Sequence, residues 1–364
     1  MDYNVVIGEE NMNKEIERIR ALSDAFGPSG FEDEVADLVE KNLNDLYETH
    51  RDHMCNVTID AKREDGKPVI MLDAHMDEVG AIVQAVKPNG TMHFLPIGGW
   101  QKTSFPSSSF ILKDRNGGKH QAVVAVKPPH FVAAKEKDAM PEVSDMVLDC
   151  GTCSKEETEG LGISIATPAC PDVSCRYDEE REVFYGKAFD CRIGVAAEIE
   201  TMRRLYHADL PSVVTASFST QEEVGERGVL ANVNRLRPDV VICFEGCPAD
   251  DTFSPDHMIQ AAMHKGPMLR HMDVSMITNP RFQRFALDIA EKYNIPVQES
   301  VRAGGGTNGA IINSHYGIPS IIIGIPVRYI HSSNCWTALD DYENAVRLAC
   351  AIAEELTNDV LDTL

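Results

Sequence analysis

The chain has 364 residues, 43% of them apolar and 25% charged, which fits a soluble globular protein of one large domain or two. Its formal net charge of -23 argues against nucleic acid and anionic membrane surfaces as partners, since both need basic patches, although such a charge also simply keeps a protein soluble. Ten cysteines are scattered without a regular frame, so reduced thiols and a cytoplasmic location are expected.

In chain order, "MDYNVVIGEENMNKEIERIR" has no apolar core between basic and small-residue ends, so no secretory signal is expected there. Residues 13–26 predict an amphipathic helix, and "GPSGFEDEVADLVEKNLNDL" a turn at Pro28–Gly30 followed by a second helix with acids at its start. "KPVIMLDAH" reads as a buried strand of a parallel sheet. From 78 to 174 the texture changes to short alternating segments, "TMHFLPI", "SSFILKD" and "HQAVVAV", divided by Gly, Pro and Asn clusters. That pattern predicts a small β-rich barrel or sandwich. Within it, "CGTC" (Cys150, Cys153) has the spacing of a redox or zinc half-site, but no second pair follows at finger spacing, so structural thiols are expected. After 175, helices alternate with apolar strands: "IGVAAEIETMRRLYH", "SVVTASFST", "GVLANVNRL", "DVVICFE", "PRFQRFALDIAEKYN" and "IPSIIIGI". The run "GIPSIIIGIPV" is too short to span a bilayer. "CFEGC" (Cys243, Cys247) fits no metal or redox spacing and predicts buried thiols. The alternation implies a parallel or mixed α/β sheet formed by 1–77 and 175–364, with the β-rich piece 78–174 inserted.

Open α/β sheets build sites beyond the carboxyl ends of their strands. The residues that follow each apolar run are His75 and Asp77, then Glu222 and Glu223, then Glu245, then His331; Asp190 precedes the long helix at 193. Buried carboxylates need a counter-charge, and no arginine run accompanies them, so a divalent metal is expected. Imidazole and carboxylate without thiolate suit zinc, cobalt or manganese. Two ions about 3.5–4 Å apart need one shared carboxylate. Asp190 is the candidate bridge, His75 and Glu245 complete one site, and Glu223 and His331 the other. Glu222 remains as a general base, and Asp77 is placed to accept the other N–H of His75.

The blocks "AHMDEVG", "AFDCR", "QEEVG", "FEG" and "RYIHS" occur in this order, with "PIGGW" (96–100), "KPPH" (127–130) and "GGGTNGA" (304–310). In these blocks, from about residue 14 to 360, the chain resembles the TET-type metallo-aminopeptidases, which include glutamyl aminopeptidase. The resemblance implies a di-metal peptidase domain, a mixed sheet flanked by helices, with an inserted barrel-like domain that mediates assembly. It also implies removal of N-terminal residues from peptides, and dimers that build a hollow tetrahedral dodecamer. Some members carry an endoglucanase label, which a carboxylate–metal site does not support. Two positions depart from the family pattern: Cys191 follows Asp190 where Asp or Asn is usual, and Glu245 stands where many members have Asp.

Arg302, Thr307 and Asn308 flank the glycine loop and read either as substrate contacts or as a strand-to-helix turn. Arg270 and Asp273 read as a structural pair or a pocket edge. Two rival readings stay open. A di-metal deacylase of N-acyl amino acids would need an arginine in its pocket for the terminal carboxylate. A non-catalytic assembly subunit would have no need of Glu222. The insertion lies between His75 and Asp190 and supplies none of the expected ligands, so subunit contact is its expected use.

Overall fold

The computed structural model describes residues 9–132 and 140–364; residues 1–8, part of the stretch examined for a signal, and 133–139, inside the insertion, lie outside the described residues. Helix α1 runs Glu9–Asp24 and helix α2 Asp33–Leu43. Asp33 and Glu34 occupy the first turn of α2, where the helix dipole favours acids, and Val35, Ala36, Val39 and Leu43 form its buried stripe. A hairpin of β1 (Thr49–Arg51) and β2 (Val57–Ile59) leads into β3 (Val69–His75). Every residue of β3 is buried, and its apolar side chains alternate between two cores: Ile70, Leu72 and Ala74 face one, Met71 the other. A strand covered on both faces has no reason to alternate with polar residues.

Six strands then close into a barrel. They are β4 (Gly80–Val86), β5 (Met92–Ile97), β6 (Ser109–Lys113), β7 (Lys119–Ala125), β8 (Val147–Asp149) and β9 (Pro168–Pro171), joined in the order β4-β5-β8-β7-β6-β9. Val83, Phe94, Phe110, Leu112, Val124 and Leu148 fill the interior with Phe105. Closure leaves no unpaired edge. A short helix, α3 (Lys155–Gly160), also falls in this piece, where the alternating segments alone predict strands; the Ser154 side chain caps it by accepting the Glu157 N–H. Lys113 and Lys119 reach from the barrel to Glu34 of α2 at 3.0 and 2.8 Å.

The chain returns to the main sheet through β10 (Arg176–Asp178) and β11 (Val183–Gly186). There follow α4 (Phe189–Leu205), β12 (Val213–Ser219), α5 (Arg227–Leu236), β13 (Val240–Pro248) and β14 (Met268–Met272). Then come α6 (Pro280–Lys292), β15 (Gln298–Val301), α7 (Asn308–Tyr316), β16 (Ser320–Arg328), β17 (Cys335–Ala338), α8 (Leu339–Glu355) and α9 (Asn358–Leu361). The eleven-stranded mixed sheet has the order β1-β2-β12-β3-β13-β16-β17-β11-β10, with β14 branching from β16 and β15 paired to β14. β12, β3, β13 and β16 are parallel to one another. One face packs against α1, α4, α6 and α8, and the other against α5 and α7. α6 starts where Asn279 accepts the N–H groups of Arg281 and Phe282 and Pro280 fills the first helical position.

Candidate metal centre

The four parallel strands end at one edge of the sheet. Ser219 pairs with His75 and Cys243 with Asp73, which carries Glu245 past the end of β3 to the level of His75. His331 lies in the loop between β16 and β17. Asp190 arrives from the first turn of α4, where Asp190 and Cys191 leave helical geometry.

The seven side chains expected at the strand ends converge. His75 Nε2 lies 3.3 Å from Asp190 Oδ1, 3.3 Å from Glu245 Oε1 and 4.0 Å from Glu222 Oε2. His331 Nε2 lies 3.1 Å from Asp190 Oδ2 and 3.3 Å from Glu223 Oε1. Asp190 thus turns one carboxylate oxygen toward each imidazole. Two donor groups result: His75, Asp190, Cys191 and Glu245, and Asp190, Glu223 and His331. Within each group the ligand atoms lie within 4.8 Å of one another. Glu222 belongs to neither. The Cys191 thiol donates to the Phe244 carbonyl oxygen, and burial pushes its pKa well up, so it is held as a thiol.

These residues fit a divalent cation. Ligands about 2.0–2.1 Å from a tetrahedral ion lie roughly 3.3 Å from each other, which is the spacing found here. Glu223 Oε1 is buried without a hydrogen-bond partner, despite its closeness to His331. Burial raises the pKa of Glu245 to about 7, with Asp190 adding to it. Burial also raises Glu222 well above the carboxylate range, and Glu245, Glu223 and Asp77 add to it. Against them, burial is outweighed at His75, raised by Glu222 and Asp190, and at His331, raised to about 12 by Asp190 and Glu223. The crowded carboxylates thus hold on to protons, on themselves and on the two imidazoles, a crowding that a bound cation relieves.

Neighbouring segments hold the cluster in place. Asp77 accepts from Ser29 Oγ at 2.5 Å and from the backbone N–H groups of Glu222 and Glu223 at 2.9 and 3.2 Å, so it fixes the turn that carries the glutamate pair. Its Oδ1 is also 3.3 Å from His75 Nδ1, the contact expected from the sequence, but that nitrogen makes no hydrogen bond. Glu32 accepts the N–H groups of Gly30 and Gln221 at 2.8 and 3.1 Å. Under the next turn, the buried Glu78 takes Lys187 Nζ at 2.6 Å and Arg192 at 3.3 Å. His331 Nδ1 donates to the carbonyl of Gly99, a residue of the barrel, at 3.0 Å. Of these supports the sequence names only Asp77, as an acceptor for His75; Glu78, Arg192 and Gly99 fall in the "AHMDEVG", "AFDCR" and "PIGGW" blocks without a role read for them.

The cluster opens into a cavity of about 800 Å³ that Asp190, Glu222, Glu223, Glu245 and His331 share with Arg270, Arg302 and Gly304–Gly306. Arg302 thus lines the cavity and pairs with Asp250 at 3.2 Å. Arg270 is both a pocket wall and a structural pair: it is buried, bonds Asp273 at 3.0 Å, and its Nε has no partner. Thr307 and Asn308 lie behind the cavity wall. Asn308 donates to Asp73 and Ser219, both at 2.8 Å, and so ties the start of α7 to the ends of β3 and β12. All ten cysteines, Cys150 and Cys153 included, are free thiols, and Cys243 and Cys247 are buried.

Comparison with known proteins places this geometry. Residues 55–348 match the M42 glutamyl aminopeptidase family. The glutamyl aminopeptidase of Lactococcus lactis subsp. cremoris is 30% identical over 346 residues, 94% of this chain and 97% of that protein. The TET aminopeptidase of a marine-sediment thaumarchaeon superposes with a TM-score of 0.93 at 33% identity, over 97% of this chain and 99% of that one. The TET1 peptidase of Pyrococcus horikoshii, which can assemble into a tetrahedron or a large octahedral shell, superposes at 0.84 with 26% identity, over 94% and 100%.

Proposed function

The chain belongs to the M42 glutamyl aminopeptidase family and is a metallo-aminopeptidase, a hydrolase of peptide bonds; from that premise we propose that it removes first residues from peptides at a two-cation centre. His75 and Glu245 would hold one cation, Glu223 and His331 the other, with Asp190 between them. Divalent cations, zinc first and cobalt or manganese in its place, would supply Lewis acidity and lower the pKa of a water. Glu222 takes the proton of the attacking water and returns it to the leaving amine. Asp77 keeps Glu222 in reach by holding its backbone N–H. The observation that carries this reading is the division of labour in the glutamate pair. Glu223 joins a donor group, while Glu222 lines the same cavity outside both.

Glu222→Gln is expected to keep two equivalents of metal while kcat falls by about 10²–10⁴, the usual worth of a general base. Loss of metal in that variant would exchange the roles of Glu222 and Glu223.

The arginines bear on what enters the cavity. Each arginine has one carboxylate partner, Arg302 with Asp250 at 3.2 Å and Arg270 with Asp273 at 3.0 Å, and each keeps a buried Nε without a hydrogen bond. A carboxylate suits that place, either an acidic first side chain or, in the deacylase reading, a terminal carboxylate. Assay of the zinc-loaded protein on glutamyl, aspartyl, leucyl and lysyl amides beside N-acyl amino acids separates them. The aminopeptidase reading requires turnover of the amides and none of the acylated compounds. We further propose a cytoplasmic homo-oligomer, dimers building a dodecamer, with the barrel as the assembly piece. Among the described residues no helix is long and apolar enough to cross a membrane.

A further inference from the structure

The two imidazoles of the centre are supported in different ways. His75 belongs to β3 and is 2% exposed, so the sheet itself fixes its backbone. His331 sits in a loop, with a left-handed backbone (φ 55°) and a side chain 29% exposed. Its Nδ1–H is donated to the Gly99 carbonyl, which lies 232 residues earlier and belongs to the barrel. That bond commits Nδ1 as a donor and leaves Nε2, which faces Asp190 and Glu223, as the nitrogen that a cation would take.

The barrel loop is shaped for this contact. Gly98 has φ 81°, a conformation open chiefly to glycine. A Cβ there would lie 3.2 Å from Glu223 Oε2 and 2.7 Å from Val79. A Cβ on Gly99 would lie 3.1 Å from His331 Nδ1. Two consecutive glycines therefore press bare backbone against the two ligands that serve only the second cation. The next residue, Trp100, anchors the loop in the barrel. Its ring centroid is 4.6 Å from that of Phe105 and 5.8 Å from that of Phe110, and its backbone N–H donates to the Gly98 carbonyl at 3.1 Å.

We propose that the Gly98–Trp100 loop of the barrel is a clamp on the second cation, so that its retention depends on how firmly Trp100 is packed among Phe105 and Phe110. Trp100 is a positioning residue: it acts through Gly99 on His331 and through Gly98 on Glu223. The inference rests on the two-cation reading above. It gives the insertion a use inside its own subunit, besides any contact between subunits. It also makes the second site responsive to whatever touches the barrel.

The test is calorimetric titration of the metal-free protein with Zn²⁺ alone, repeated with Co²⁺. Wild type is expected to take up two equivalents. Trp100→Ala should weaken one of them by about 10–100-fold, the usual effect of losing support behind a ligand, and leave the other unchanged. Trp100→Phe, which keeps an aromatic ring in the cluster, should restore it. The step weakened in Trp100→Ala should be the one absent from His331→Ala. If Trp100→Ala does not fold, Gly99→Ala gives the same readout, because its Cβ must displace the imidazole. Unchanged affinities, or equal weakening of both steps, would overturn the clamp. A single equivalent in wild type would overturn the two-cation reading instead.

Discussion

Asp190 offers Oδ1 to His75 and Oδ2 to His331, so its loss should cost more than the loss of either histidine. After stripping with a chelator and reloading with zinc, cobalt or manganese, His75→Ala and His331→Ala are each expected to retain about one metal equivalent of two. Asp190→Ala should retain neither tightly. Full stoichiometry in either histidine variant would remove the ligand set. The strand-end residues were legible because they follow apolar runs, a pattern local in sequence, and Asp190 because it opens a long helix. Their supports were not. Lys187 meets Glu78 across 109 residues, and Asn308 meets Asp73 across 235. Contacts of that range carry no periodicity. Asn308 shows the cost: beside a glycine loop it reads equally as a substrate contact or a strand-to-helix turn, and its amide links the start of α7 to Asp73 and Ser219.

At the scale of elements, helices and strands with a buried face were legible and marginal ones were not. α2, α6 and β3 announce themselves by an apolar stripe or run. β15, "QESV", has one buried residue of four and pairs only with β14, so it leaves no hydrophobic trace. The packing of α4 against α1 and α8 hides a second feature, a charged cluster. Glu15 is buried, with one oxygen unpartnered and the other 3.4 Å from Arg204. Burial raises its pKa to about 7, and Glu200 adds to the shift. A carboxyl whose pKa rises on folding favours the folded state while protonated. Its contribution is therefore complete below pH 4.5, its unfolded value, and is lost as pH climbs through about 7. Glu15→Gln should melt with wild type near pH 5 and gain on the order of 1–3 kcal/mol at pH 8. Thermal unfolding at matched protein concentration measures this. A variant less stable than wild type at pH 8 would show that the Arg204 contact outweighs the burial.

The whole molecule joins a wet, acidic centre to a barrel whose outer surface is not acidic throughout. Phe131 and Ile165 are 70% and 72% exposed, and Leu95 is exposed as well. If the barrel is the assembly piece, as proposed above, these are side chains that a second copy of the chain would cover. Lys113 and Lys119 pair the barrel with Glu34 of α2. In a closed shell the cavities would be reached only by short or unfolded chains. A peptidase of broad reach could then sit safely in a cytoplasm. Light scattering on the metal-loaded protein should accordingly find a particle many times the 40.2 kDa chain, with folded proteins cleaved slowly or not at all. Phe131→Asp combined with Ile165→Asp should reduce that particle while metal content stays at the wild-type level, since neither residue belongs to a donor group. Unchanged size in the double variant would move the interface to another face. A monodisperse wild-type monomer, fully active on peptides, would leave the barrel only its hold on His331.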